Sequence, residues 1–203
     1  MVPMNLLSSG STADYIDTGT WADKAIKEAT RVGRVNVTGS TKASNYNRIP
    51  AARELTLTPG AAYVHITSNN TIEGTQWHTL PDTGDVPLVA DASSDIFSRP
   101  TDIGRFGLIY AGAQKNLGPS GVTLVIVRED LLSRSRADLP TMLSYKVQSD
   151  NNSLYNTPNT FGVYILGLTM KWLKSLGGLA ARGCCISPMR QRWSCSLPHS
   201  RRR

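Results

Sequence analysis

Short apolar runs separated by polar, turn-rich connections fill the middle of the chain, the pattern of a sheet dressed with helices. Strands are predicted at Ala62–Ile66, Pro87–Ala90, Gly107–Ala111 and Val122–Val127. Apolar residues recur with helical period at Ala22, Ala25, Ile26 and Ala29, and again at Phe161, Ile165, Leu168 and Trp172. The second helix is punctuated: Thr157 is the expected N-cap before Pro158, Lys171 and Lys174 lie in its last turn, and Gly177-Gly178 follow. The fold class is α/β, without internal repeats. From about Leu179 onward Arg, Cys, Ser and Pro dominate and neither periodicity persists, so disorder is expected there.

Composition changes this picture mainly at that end. At 203 residues and 40% apolar content, the chain is long enough for one ordinary domain. The formal charge of +7 suggests a nucleic-acid or membrane partner until it is located. Six arginines and no acid lie between Gly178 and Arg203, which leaves residues 1–177 close to neutral. All three cysteines, Cys184, Cys185 and Cys195, fall in the same stretch, so no disulfide staples the body and a reducing compartment fits. The first residues lack the basic start and apolar core of a secretory signal, and the longest apolar run, Phe161 to Met170, is about half of what a bilayer requires. Neither membrane nor nucleic acid is the expected partner. Three Asn-x-Ser/Thr triplets, beginning at Asn36, Asn69 and Asn151, carry little weight without such a signal.

The chemistry concentrates at two predicted strand ends. Gly112-Ala113-Gln114-Lys115-Asn116-Leu117-Gly118 follows one strand and leads toward another. A lysine in such a turn of small residues can meet a ligand on a rigid platform, although alone it is more often a solvated surface residue. The spacing of a phosphate-binding P-loop is absent. Val89-Ala90-Asp91-Ala92-Ser93-Ser94 places Asp91 at a carboxyl edge, where open α/β sheets keep their ligands and where an acid is otherwise a cap or turn former. On neighbouring strand ends, Asp91 and Lys115 would face one crevice. An acid for a pyridinium nitrogen and a lysine for a Schiff base are the two groups that pyridoxal-phosphate (PLP) chemistry needs.

These segments resemble the phosphoserine aminotransferases, PLP-dependent enzymes of fold type I and class V. The resemblance rests on Asp91-Ala92-Ser93-Ser94, on Phe106-Gly107-Leu108-Ile109-Tyr110-Ala111-Gly112-Ala113-Gln114-Lys115-Asn116, and on Val125 to Leu132. It extends through Ser153 to Pro158, back to Ala13-Asp14-Tyr15-Ile16 and Gly19-Thr20-Trp21, and so over nearly all of residues 2–178. It implies the central part of a large PLP-binding domain, a mainly parallel sheet flanked by helices. Lys115 would hold PLP as a Schiff base and Asp91 would pair with the ring nitrogen. Trp21, otherwise a core aromatic, would stack on the ring. Thr71 would bond near its phenolic oxygen, and Gln114 would reach the phosphate. Asn156 and Thr157 would contact the phosphate of a neighbouring subunit in a homodimer. No metal ligand is implied.

The implied activity transfers an amino group between glutamate and 3-phosphohydroxypyruvate to give phosphoserine in serine biosynthesis. The alternative is a non-catalytic fragment that at most binds PLP or a partner subunit, because the matched segment starts late and stops near Gly178 relative to the family. Residues 1–178 are thus read as a partial PLP-binding domain and 179–203 as a basic, non-homologous tail. For that tail a shifted reading frame or mis-assigned gene end is the expectation. An arginine cluster attracting nucleic acid or anionic lipid is a second possibility, and a zinc site from Cys184, Cys185, Cys195 and His199 a third, disfavoured because no Cys-x-x-Cys pair occurs. The expected location is the cytoplasm, or an organelle if a preceding segment carries a transit peptide.

Overall fold

A computed structural model describes residues 1–183. In chain order the elements are α1 (Val2–Leu6), β1 (Thr12–Asp17), α2 (Thr20–Thr30), β2 (Arg34–Ser40), β3 (Val64–Thr67), β4 (Asn69–Asn70), β5 (Thr75–Gln76), β6 (Leu88–Asp91), β7 (Leu108–Gly112), β8 (Thr123–Val127), α3 (Glu129–Leu132), α4 (Tyr145–Asp150), α5 (Thr160–Ser175) and α6 (Gly178–Gly183). Six strands form one sheet in the order β2-β1-β3-β6-β7-β8, while β4 and β5 make a separate small hairpin. Every neighbouring pair in the large sheet is parallel except β7–β8, which is antiparallel. The expected α/β architecture with a mainly parallel sheet is therefore present.

Alternation along the strands divides the buried side chains between two faces. Ile16, Val64, Ile66, Leu88, Ala90, Ile109 and Ala111 point to one side, where Trp77, Phe106 and Leu117 from the connections cover them and Leu166 and Met170 of α5 pack alongside. Ala13, Tyr15, Tyr63, Val89 and Leu108 point to the other, under Val2 and Leu6 of α1, Ala29 of α2, and Leu131 and Tyr145. Each such aliphatic side chain taken wholly out of water contributes roughly 1.5–3 kcal/mol, so both faces are required for a stable sheet.

The four predicted strands occur within a residue or two of their expected bounds, and both predicted helices form. Four strands were not expected: β1 and β2 of the large sheet, and β4 and β5 of the hairpin. Asp14 and Asp17 in β1 break its apolar pattern, yet both are buried, because Asp14 accepts from the Thr58 amide at 2.6 Å and Asp17 from Ser40 Oγ at 2.8 Å. The Thr157 cap is corrected. Helix α5 begins at Thr160, and Asn159 caps it, its Oδ1 accepting from the Gly162 amide at 3.0 Å. Asn outranks Thr as a cap, and Asn159 stands three residues before the amide it serves.

Of the periodic residues of α5, Phe161, Leu168 and Trp172 are exposed and Ile165 is half-buried, whereas Gly162 and Leu173 are buried and Leu166 and Met170 reach the core. The helix is apolar on both sides, so periodicity alone could not say which side faces inward. Finally, the first residues of the expected disordered tail, through Gly183, form α6. The rest of that expectation, 184–203 with its cysteines and His199, lies outside the described residues.

Candidate functional site

In the parallel part of the sheet all carboxyl ends share one edge, and four adjacent strands, β1, β3, β6 and β7, each deliver one candidate residue there. Trp21 follows β1, Thr71 follows β3, Asp91 ends β6 and Lys115 follows β7. Thr71 Oγ1 accepts from Lys115 Nζ at 3.3 Å and from Trp21 Nε1 at 3.2 Å, and Lys115 Nζ stands 5.0 Å from the centre of the Trp21 ring. An amine, a hydroxyl and an aromatic face thus meet in one exposed cluster, with the amine held over the indole by its π-density.

Trp21 owes its position to the hairpin beside it. At the start of α2 the free amides are taken by side chains of that hairpin: Glu73 Oε1 accepts from Thr20 N at 2.8 Å and Asn70 Oδ1 from Ala22 N at 3.3 Å. A carboxylate at a helix N-terminus also meets the positive end of the helix dipole. Gly19, the residue before α2, has φ +156, and a Cβ there would stand 2.6 Å from both Asn70 Cγ and Glu73 Oε2. Gly19→Ala should therefore cost on the order of 3 kcal/mol and disturb Trp21. Gly10→Ala, with φ +83 and open space, should cost about 1 kcal/mol. Thermal melting with Trp fluorescence compares the two, and equal costs would remove the close-approach explanation.

Asp91 is half-buried. Its Oδ1 accepts from Ser93 N at 3.0 Å and Ser93 Oγ at 2.6 Å, and Ser93 Oγ accepts in turn from Gly112 N at 3.0 Å. The acid of β6 is thereby tied to the end of β7. Lys115 rides on a loop closed at its base, where Ala113 N donates to Val122 O at 2.9 Å and Gly118 N to Ala113 O at 2.8 Å. Gln114 is exposed and folds back toward Gly112, whose missing side chain leaves the room: a Cβ there would stand 2.5 Å from Gln114 Oε1. Asn156 and Thr157 are exposed in the connection between α4 and α5, and the chain does not bring them into this cluster.

Beneath Asp91 lies a row of aromatic polar side chains that the sequence reading did not single out. His65 stacks on Tyr15 with ring centres 4.6 Å apart and shares a 3.0 Å hydrogen bond between Nε2 and the Tyr110 hydroxyl. Tyr15 and Tyr63 share another at 2.8 Å. A polar residue inside each apolar run, His65 in β3 and Tyr110 in β7, was the available signal. Burial pushes the Tyr15 hydroxyl up to about 12, and it holds His65 below its ordinary 6.5, partly opposed by the charge of Asp91. The unfolded chain therefore takes up a proton at His65 below 6.5 that the folded chain refuses, and stability falls as pH drops through that value. Urea unfolding at pH 7.5 and pH 5 should show a loss on the order of 1 kcal/mol or more, which His65→Gln should reduce. An unchanged acid slope in that variant would assign the loss to other groups.

A parallel α/β sheet brings an amine, a carboxylate and an indole to its carboxyl edge, and the chain belongs to the class-V aminotransferases, whose family profile matches residues 1–183. Individual relatives narrow the likeness. The chain is 58% identical over 180 residues to the phosphoserine aminotransferase of Herpetosiphon aurantiacus, covering 89% of this chain and 50% of that protein. It is 59% identical over 180 residues to that of Pseudomonas aeruginosa, with the same coverage. The chain thus spans about half the length of these relatives. Among solved structures, the phosphoserine aminotransferase of Bacillus circulans subsp. alkalophilus superposes with a TM-score of 0.88 at 55% identity, over 91% of this chain and 51% of that one. The PLP-bound enzyme of Trichomonas vaginalis gives 0.85 at 37% identity, over 91% and 52%.

Proposed function

We propose that the chain carries the cofactor-binding core of a phosphoserine aminotransferase, moving an amino group between glutamate and 3-phosphohydroxypyruvate with PLP. The observation that carries this is the convergence of Lys115, Thr71 and Trp21 beside Asp91, in a chain so similar to proteins of that name. The residues present fit PLP. Lys115 Nζ suits its aldehyde carbon, the Trp21 face its ring and the Asp91 carboxylate its ring nitrogen, while the amide of Gln114 is the group for the phosphate.

When bound, PLP supplies an electron sink for the pair released at the amino acid's α-carbon. The chain's own groups do the rest. Lys115 Nζ would hold the cofactor and, once freed by a substrate amine, would be the base that takes a proton from the α-carbon and delivers it two bonds away, to the former aldehyde carbon. Asp91 holds negative charge against the ring nitrogen and so keeps a proton there. Trp21 shields one ring face from water, and Thr71 orients the amine through its hydroxyl. Phosphoserine with 2-oxoglutarate should yield glutamate in the presence of PLP. Faster turnover of alanine with glyoxylate would refute the substrate assignment. A cytoplasmic setting in serine biosynthesis belongs to the same proposal.

The same proposal makes the working unit a homodimer, with Asn156 and Thr157 serving the phosphate of the partner's site. Both are exposed, and Phe161, Val163, Tyr164 and Leu168 of the adjoining α5 are exposed apolar side chains of the kind a partner covers. Added PLP should shift the sedimentation coefficient toward a dimer, since a ligand favours the state that binds it better. A protein that stays monomeric while binding PLP stoichiometrically would remove the cross-subunit role.

A further inference from the structure

We propose that Tyr110 is a positioning residue for the reaction, donating its hydroxyl hydrogen to the Asp91 carboxylate, and that His65 fixes this direction from behind as the neutral Nε2–H tautomer. The assignment rests on Asp91 pairing with the cofactor's ring nitrogen, as proposed above. Sheet register puts the groups together: Asp91 of β6 and Tyr110 of β7 are direct partners. The Tyr110 hydroxyl shares a 3.0 Å hydrogen bond with His65 Nε2, and Asp91 is the charged group acting on it.

The hydroxyl has one hydrogen and two candidate acceptors. A carboxylate only accepts, and a hydrogen bond to a charged acceptor is about twice as strong as one to a neutral nitrogen. The hydrogen therefore goes to Asp91, and the Tyr110 oxygen must accept from the imidazole, which requires the hydrogen on Nε2. Nδ1 of His65 is buried without a partner, in keeping with a neutral ring whose one N–H is used at Nε2. The other groups facing this row are Tyr15, Tyr63 and Tyr145, all buried phenols, so Asp91 supplies the charge acting on it. Burial first, then the charge of Asp91, push the Tyr110 phenol well above its ordinary range, so it remains a donor.

The consequence lies at the carboxylate. Ser93 occupies Oδ1, and the donation from Tyr110 fixes the rotation of the group. A carboxylate held in one rotation would keep its pairing with the cofactor's ring nitrogen; one free to turn would keep it less well.

Two measurements test this on the full chain. Nitrogen NMR of the ¹⁵N-labelled protein without cofactor should show His65 protonated at Nε2 and bare at Nδ1. An Nδ1–H tautomer, or a charged ring at neutral pH, overturns the proposal whether or not PLP binds. With PLP labelled at its ring nitrogen, Tyr110→Phe should move the ring signal toward the unprotonated range and weaken PLP binding roughly tenfold. His65→Leu should do the same in part, and His65→Gln, which restores a donor, should recover the wild-type signal. Tyr63→Phe controls for loss of a buried hydroxyl in the same layer and should leave the signal unmoved. A Tyr110→Phe protein with wild-type signal and affinity overturns the positioning role. Failure of the chain to take up PLP refutes the proposed function instead, and the tautomer measurement still decides the direction of the hydrogen bond.

Discussion

Borohydride reduction of the PLP-loaded chain should leave a pyridoxyl label on Lys115, and Lys115→Ala should abolish it. Lys24 is the real competitor. Its Nζ lies 4.6 Å from the Trp21 ring centre, closer than the 5.0 Å of Lys115. Proximity to the indole does not decide the outcome, however. Lys24 is an exposed residue on the side of α2, and ordering a lysine side chain there would cost about 1.5–2 kcal/mol. Lys115 already shares the Thr71 hydroxyl with Trp21 and sits at the end of a strand next to the Asp91 strand. On the proposed role, loss of its amine would remove both the covalent hold and the proton carrier. Turnover should fall at least a hundredfold and up to about ten-thousandfold. Peptide mapping that found the label on Lys24 would sink the assignment of Lys115.

Asp91→Asn should keep the fold and the Lys115 linkage while losing most of the rate, by roughly a hundredfold or more, as for other preorganised electrostatic groups. The amide keeps an oxygen for Ser93 N and Oγ, so the tie between β6 and β7 survives while the charge is gone. Asp91→Ala removes the tie as well and should also lower the melting temperature. Comparing the two separates charge from scaffolding: wild-type turnover in Asp91→Asn would mean that the carboxylate has only a structural role.

The placement of both residues at one sheet edge was legible in the sequence for a physical reason. A glycine-rich turn after one apolar run and an acid ending another are local patterns, and a parallel sheet sends consecutive strand ends to one edge whatever the details between them. Strands β1 and β2 were not legible, because the signal used was apolar alternation. β1 carries Asp14 and Asp17 inward, and the partners that make this tolerable, Thr58, Ser40 and Tyr46, are distant in sequence. The α5 cap failed differently: Asn156, Thr157 and Asn159 all stand near Pro158, and only three-dimensional reach to Gly162 chooses among them. The His65–Tyr110 pair was out of reach because its partners come from separate strands, and register is not a local property.

The reversal of direction between β7 and β8 bears on how the protein would lose its cofactor. A parallel neighbour would have required a long crossover after β7. The antiparallel one returns at once, so the segment bearing Lys115 is pinned at Ala113 and Val122 and anchored by Leu117, which is wholly buried. Such a segment is tied to the sheet at its base, while Gln114 and Lys115 on it are exposed. If Lys115 holds the cofactor, as proposed, substitutions that loosen the packing of Leu117 or the β7–β8 pairing should register as faster cofactor loss even though they lie away from the amine.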